Sequence, residues 1–473
     1  MQWHNQVNHK NQINQRLRFL PFTGNPMVLF GVLCVSEKDS LCIGIGSFLF
    51  VTLITCFMVS SFPLTDTLKY IQAVWTAAHR QGLPVAFWRL PETDTVQGIV
   101  DLSGHPQQTV IDLEELPSGF TVSPFINPEG NESLFLHADI HFTLEQSARP
   151  VTASPEKYYL FSDKNLPLRD PVFRLRQAHF YQTVDQLLQE EALTPAVISR
   201  TTYQTQDADQ LTFECMVGRA IEAMQEQALQ KVVLSRTVTV PVTPETDIVH
   251  TYFRLTEAYP LAFVSLVSIP GYGTWMGASP EIIISMDRHR IFRTVALAGT
   301  QAYDSSVALP EVMWKQKEIE EQALVSRYII NCFKKIRLRE FDEDGPKTVI
   351  AGNLLHLRTD FQVDTQQTQF PQLGTVMLRL LHPTSAVCGM PKEPALAFIA
   401  SHEPHKREFY SGFLGPVNLE GESHLYVNLR CTQWLGNQIV FYAGAGITAG
   451  SVPEREWRET ELKTQTMRKI IGV

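Results

Sequence analysis

Cysteine is scarce and unpaired in this chain: seven residues, an odd number, with no C-x-x-C spacing. That excludes a disulfide framework and a structural zinc site, and leaves buried free thiols. Basic charge is short as well. With 40 Lys and Arg against 49 Asp and Glu, the net charge is −9, so neither nucleic acid nor an anionic membrane surface fits as the main partner. A nucleotide-phosphate loop is missing too. The glycine run FYAGAGITAG at 441–450 lacks the lysine and Ser/Thr of a P-loop and is not G-x-G-x-x-G. Nor is there an internal repeat or a heptad run. An anionic small substrate would need cations at a few chosen places, and Lys231, Arg430 and Lys463 are the candidates.

What is present is material for a large core. Apolar residues make up 44% of 473 positions, enough by length for two or three domains. Segments 84–90, 98–102, 108–112 and 158–161 predict strands, punctuated by Gly, Pro and Asn, and 174–193 predicts a helix. After a polar link at 201–209, residues 211–229 put Phe213, Val217, Ile221 and Met224 at helical spacing. Strands at 231–242, 262–269, 273–284 and 291–298 then interleave with helices at 248–258 and 317–333. The pattern predicts an α+β, mixed α/β fold with large antiparallel sheets covered by helices.

The first 65 residues read differently. Residues 41–64 carry no charge and are long enough for a bilayer-spanning helix of about 20 residues. Against an anchor stand Gly44, Gly46 and several Ser/Thr, and residues 1–25 are rich in Asn and Gln without a targeting pattern. Met58 is followed by an amphipathic helix and a strand. The expectation is therefore a start at Met58, no membrane attachment and a cytoplasmic protein, with 1–57 an extension, 58–205 an amino-terminal α/β portion and 206–473 a catalytic domain. From Met58 the charge is 36 − 47 = −11.

Chemistry concentrates towards the carboxyl end. PEREWRETELK at 453–463 places Glu456, Glu459 and Lys463 on one stripe of a helix. Read alone this is a solvated face with a weak i,i+4 pair; two carboxylates so placed also suit a hard cation such as Mg²⁺. HLYVNLRCTQW at 424–434 reads as one alternating strand with Tyr426, Asn428 and Arg430 on a shared face, where an arginine can clamp a carboxylate. Glycines 444, 446 and 450 would let backbone N–H groups approach an anion. Lys231 opens the apolar run KVVL, a setting that lowers an ammonium's pKa. Glu281 follows Ser279-Pro280 and precedes IIIS, a setting that raises a carboxyl's. In KEIEEQALV the spacing does not decide among Glu318, Glu320 and Glu321.

Taken in order, KVVLSR (231–236), GASPE (277–281), LAGT (297–300), KEIEEQALV (317–325), LHPTSAVCGMP (381–391), REFYSGFLG (407–415), VNLRC (427–431), AGAGI (443–447) and EWRET with Lys463 resemble the chorismate-utilising enzymes, most closely the isochorismate synthases. The resemblance covers roughly 208–471. It implies Mg²⁺-dependent isomerisation of chorismate to isochorismate, for menaquinone or siderophore biosynthesis, in an enzyme family where monomers are common. Lys231 would be the base that activates water and Glu281 the acid that protonates the departing 4-hydroxyl. Glu321, Glu456 and Glu459 would bind the metal, an oxygen set that fits Mg²⁺ better than Zn²⁺. Gly299, Thr300, His356, Thr384, Ala386, Arg430, Gly444, Gly446 and Lys463 would contact substrate, while His356 and His382 would not ligate metal. Gln322 stands where the family usually has histidine. Ala298 replaces the lysine nucleophile of aminodeoxychorismate synthase, and Lys231 is a residue that anthranilate synthase generally lacks. The rival within the family is salicylate synthase, which goes on to eliminate pyruvate. A catalytically silent, membrane-tethered binder is the rival from another class.

Overall fold

The computed structural model describes residues 66–127, 132–145, 171–190, 206–242, 246–302, 308–351 and 354–473. The expected strand at 158–161, the apolar segment 41–64 and the start at Met58 lie outside them. Among the described residues no helix is long and apolar enough to cross a membrane.

The chain begins with α1 (Asp66–Arg80), β1 (Val85–Arg89), β2 (Thr95–Val100), β3 (Gln107–Thr109), β4 (Gly119–Ser123), β5 (Ser133–His137), β6 (Ile140–Glu145) and α2 (Pro171–Gln189). Next come α3 (Gln210–Gln225), β7 (Lys231–Pro241), α4 (Ile248–Ala258), β8 (Phe263–Ile269), β9 (Gly273–Ser279), β10 (Ile282–Met286), β11 (Ile291–Ala302) and α5 (Gln316–Lys335). The last third holds β12 (Asp342–Ala351), β13 (Leu354–Asp364), α6 (Leu373–Leu381), β14 (Gly389–Met390), α7 (Lys392–His402), β15 (Phe413–Val417), β16 (Ser423–Val427), β17 (Cys431–Leu435), β18 (Gln438–Ile447) and α8 (Pro453–Ile471). Two nine-stranded sheets result, in the orders β14-β7-β18-β17-β9-β8-β1-β2-β6 and β12-β13-β11-β10-β16-β15-β4-β5-β3. The strand ladders are antiparallel, as the sequence predicts, and strands from before and after residue 205 mix in both sheets.

Strand alternation explains the layering. In β1, Val85 and Phe87 join the core with α1 residues such as Ile71, Val74 and Trp75. Ala86 and Trp88 point the other way, into a core shared with Phe120 and Leu134 of the second sheet. Trp88 and Phe120 lie 5.2 Å apart by ring centroid. Each such fully buried aromatic contributes about 2 to 3 kcal/mol of burial free energy. A third core lies under α3, α5 and α6. Asp247 caps α4 by accepting from Val249 and His250 N–H, which fixes that helix where the sequence places it.

Two expected strands divide, and both divisions build the site. Residues 273–284 break at Pro280 and Glu281: β9 ends in the first sheet and β10 begins in the second. Proline cannot donate to a ladder, so the break falls there. Residues 424–434 also split, β16 belonging to the second sheet and β17 to the first. Arg430 takes φ 47° at this corner. Tyr426, Asn428 and Arg430 therefore do not share a strand face: Tyr426 stacks on Phe263 at 4.2 Å, while the Asn428 amide donates to the Phe409 carbonyl at 3.0 Å. The two corners are stitched together, Val427 N–H donating to the Glu281 carbonyl at 2.9 Å and Ala278 N–H to the Arg430 carbonyl at 3.2 Å.

Candidate active site

Lys231 is the first residue of β7, held between Gly446 on β18 and the short β14, where it is the register partner of Met390. Burial pushes its ammonium down from the ordinary lysine value. Opposing that are the charges of Glu321, Glu281 and Glu459, whereas Lys463 adds to the depression. These are the acidic and basic groups picked out from sequence, drawn from β7, the β9–β10 corner, α5 and α8. Each of the other four lies within electrostatic reach of Lys231. On α5, Glu321 lies within electrostatic reach of Lys231, Glu320 accepts from Gln316 on the exposed side at 2.9 Å, and Glu318 lies close to Gly299.

Glu281 is pushed up to about 6, chiefly by burial. A hydroxyl bond from Thr384, at 3.0 Å to Oε1, and the Lys231 charge work against the rise. Thr384, expected to meet substrate, is thus seated on the carboxyl of Glu281. A small cavity of about 30 Å³ lies against Glu281, Thr384, Ala386 and Leu297. His382 is driven down to about 3 by burial and by Lys392, and its Nε2 lies 3.2 Å from the Pro124 carbonyl.

Gly299 and Thr300 sit in an irregularity of β11, between the register pairs Ala298–Leu357 and Gln301–Leu355. Gly299 takes φ 68°, which suits glycine, and its carbonyl lies 2.9 Å from His356 Nδ1. Arg430 is within electrostatic reach of His356 and is itself depressed by burial, opposed by Tyr259.

Gly444 and Gly446 lie inside β18, paired with Ser235 and Val233. Their role is clearance. A Cβ at 444 would stand 2.9 Å from the Tyr410 hydroxyl and 3.1 Å from the Leu234 carbonyl; one at 446 would stand 3.4 Å from Lys231 Cε. Lys463 donates to the Gly444 carbonyl at 2.7 Å and to Glu459 at 2.8 Å. Tyr410, buried behind Gly444, escaped the sequence reading although it lies in REFYSGFLG.

The carboxylates are less tightly gathered. Glu456 is raised by burial and by Glu459, and lowered by a Ser451 bond and by Lys317 and Lys463. Glu321 lies 3.9 Å from Lys317. Among the described residues no three His, Cys, Asp or Glu groups converge as a metal cluster, so the expected three-glutamate set is not closed in this arrangement. Lysine partners hold Glu459 and Glu321 instead. Chemically the set still fits a hard cation, being all oxygen and carrying more negative charge than the adjacent lysines cancel at Glu456. A roomier cavity, about 770 Å³, lies elsewhere between Phe125, Tyr272 and residues 405–409. None of the predicted site residues lines it, and its buried Arg407 is already neutralised by Glu403 at 2.6 Å.

Over 270 residues the chain is 30% identical to isochorismate synthase EntC of Escherichia coli K12, covering 56% of this chain and 68% of that one. It is 27% identical to isochorismate synthase MenF of the same strain over 281 residues, 59% and 64% of the two chains. Among solved structures, E. coli MenF superposes with TM-score 0.62 at 21% identity, covering 84% of this chain and 91% of that one. A 2,3-dihydroxybenzoate-specific isochorismate synthase, DhbC of Bacillus anthracis, gives 0.60 at 20%, covering 85% and 99%. The chorismate binding enzyme family model matches residues 141–472, and the chain belongs to that family.

Proposed function

We propose that this protein is an isomerase that converts chorismate to isochorismate with the help of Mg²⁺. The observation that carries the reading is that buried Lys231 and buried Glu281 lie within electrostatic reach of one another, with burial pushing each towards its neutral form. A reaction that adds water at one ring carbon and expels hydroxyl from another needs a proton acceptor and a proton donor at one pH. Neutral Lys231 takes a proton from water as its oxygen attacks C2. The ring double bonds shift, and Glu281 delivers a proton to the 4-hydroxyl, which leaves as water. The net composition is unchanged. Lys231 ends protonated and Glu281 ionised, and proton exchange with solvent resets the pair.

Arg430 and Lys463 supply positive charge for the two substrate carboxylates, with Gly299, Thr300, His356, Ala386 and the cleared strand at Gly444 and Gly446 shaping the seat. Thr384 keeps the Glu281 carboxyl oriented. Glu321, Glu456 and Glu459 would hold Mg²⁺, which when bound supplies Lewis-acid polarisation of a substrate carboxylate. The test is to incubate the purified chain with chorismate and Mg²⁺ and separate the products. Isochorismate without pyruvate supports the reading. Pyruvate with salicylate transfers it to salicylate synthesis, and no turnover contradicts both.

A further inference from the structure

Gln322 is buried, 2% exposed, and it follows the candidate cation ligand Glu321 directly. Its amide nitrogen donates to the Ala296 carbonyl at 3.1 Å and to the Thr359 hydroxyl at 2.9 Å. Ala296 and Thr359 are register partners on β11 and β13, so one amide bridges two neighbouring strands. Both amide hydrogens are used, while Oε1 has no partner. A buried unsatisfied acceptor is destabilising, so the residue's worth at this position lies in its two donors.

Those donors fix a rotation. Successive helix residues project about 100° apart, so pinning Gln322 onto the sheet sets the direction of Glu321 beside it. Glu321 itself has no comparable tether: its recorded ion pair is with Lys317, at 3.9 Å and largely exposed. Ala296 also lies just ahead of Ala298 and the irregular Gly299, so the amide ties the carboxylate helix to the strand that carries LAGT.

We propose that Gln322 is a positioning residue, its two-strand amide fork setting the rotation of α5 and thereby placing the Glu321 carboxylate for a divalent cation. The inference rests on the reading of Glu321 as a cation ligand. It differs from simple helix docking, for which any well-packed side chain would serve.

The test is a titration of the full chain with Mn²⁺, followed by electron paramagnetic resonance without substrate, alongside thermal melting. Gln322→Leu should bind Mn²⁺ about 10-fold more weakly, the usual scale for losing a group that orients a ligand, with only a small change in melting temperature, since removing the unpaired oxygen offsets part of the cost of the two lost bonds. Gln322→His, which keeps one ring N–H, should recover part of the affinity. Thr359→Val removes one arm of the fork and should fall between; it decides the matter if Gln322→Leu does not fold. Wild-type Mn²⁺ affinity in Gln322→Leu, or in Thr359→Val where that variant decides, overturns the proposal. So does weakened binding that tracks a lower melting temperature and is not recovered by histidine. Failure of the wild-type chain to bind Mn²⁺ would instead remove the cation reading of Glu321, and this inference with it.

Discussion

The two sides of the candidate site are built on different principles. Lys231 and Glu281 are set by the sheets: one begins a strand with neighbours on both sides, the other sits at a corner whose backbone is bonded to a second corner. Glu321, Glu456 and Glu459 are set by two helices, and the side chains of Glu321 and Glu459 remain 39% and 49% exposed. Strand-borne groups lose little freedom on reaching the transition state, because folding has already ordered them. On the helices, Glu321 pairs with Lys317 at 3.9 Å and Glu459 with Lys463 at 2.8 Å. In the proposed reaction, proton transfer falls to the sheet-borne side and cation capture to the helix-borne one.

The sharpest way to break this comparison is to remove the sheet-borne side. Lys231→Ala or Glu281→Gln should each lower kcat by roughly 10²-fold or more with a smaller change in KM, measured by steady-state turnover of chorismate. Raising Mg²⁺ should not rescue either. Glu281→Gln should leave the melting temperature unchanged or higher at neutral pH. A carboxyl held at about 6, above the usual glutamate value, gives stability that is full at low pH and lost as pH rises through its folded value.

On the helix-borne side the loss should be recoverable. Glu459→Gln should raise the Mg²⁺ concentration for half-maximal rate by about 10-fold or more, with most of kcat returning at saturation. Full activity at low Mg²⁺ would take Glu459 out of the site. Thr384→Val sharpens the other side. Its hydroxyl bond favours the Glu281 carboxylate, so losing it should push the Glu281 pKa further up and move the alkaline fall of kcat/KM to higher pH. A bond worth about 1 kcal/mol makes this less than one pH unit. Lys317→Ala should do least. An exposed pair at 3.9 Å is worth about 0 to 1 kcal/mol, so the melting temperature should barely move.

Legibility in the sequence follows the same division. The helix expected at 248–258 has those bounds, and Asp247 caps it. The start of β7 at Lys231 was readable from its apolar run. Local signals say nothing about a change of sheet. The strand expected over 273–284 ran through Pro280, and NLR at 428–430 contains neither glycine nor proline, although Arg430 takes φ 47° there and its carbonyl accepts from Ala278 N–H. The partner of Glu281 lies 103 residues away, and the strands that Gln322 joins are 26 and 37 residues from it. Such pairings are tertiary, and one sequence carries no trace of them.

The central claim is that water, activated by Lys231, becomes the new hydroxyl as the 4-hydroxyl departs. Turnover of chorismate by the full chain in ¹⁸O-labelled water, with the product weighed by mass spectrometry, tests it most directly. The account predicts isochorismate carrying one heavy oxygen per molecule, and almost none formed by Lys231→Ala. Unlabelled isochorismate, or labelled product made by Lys231→Ala at the normal rate, would contradict it.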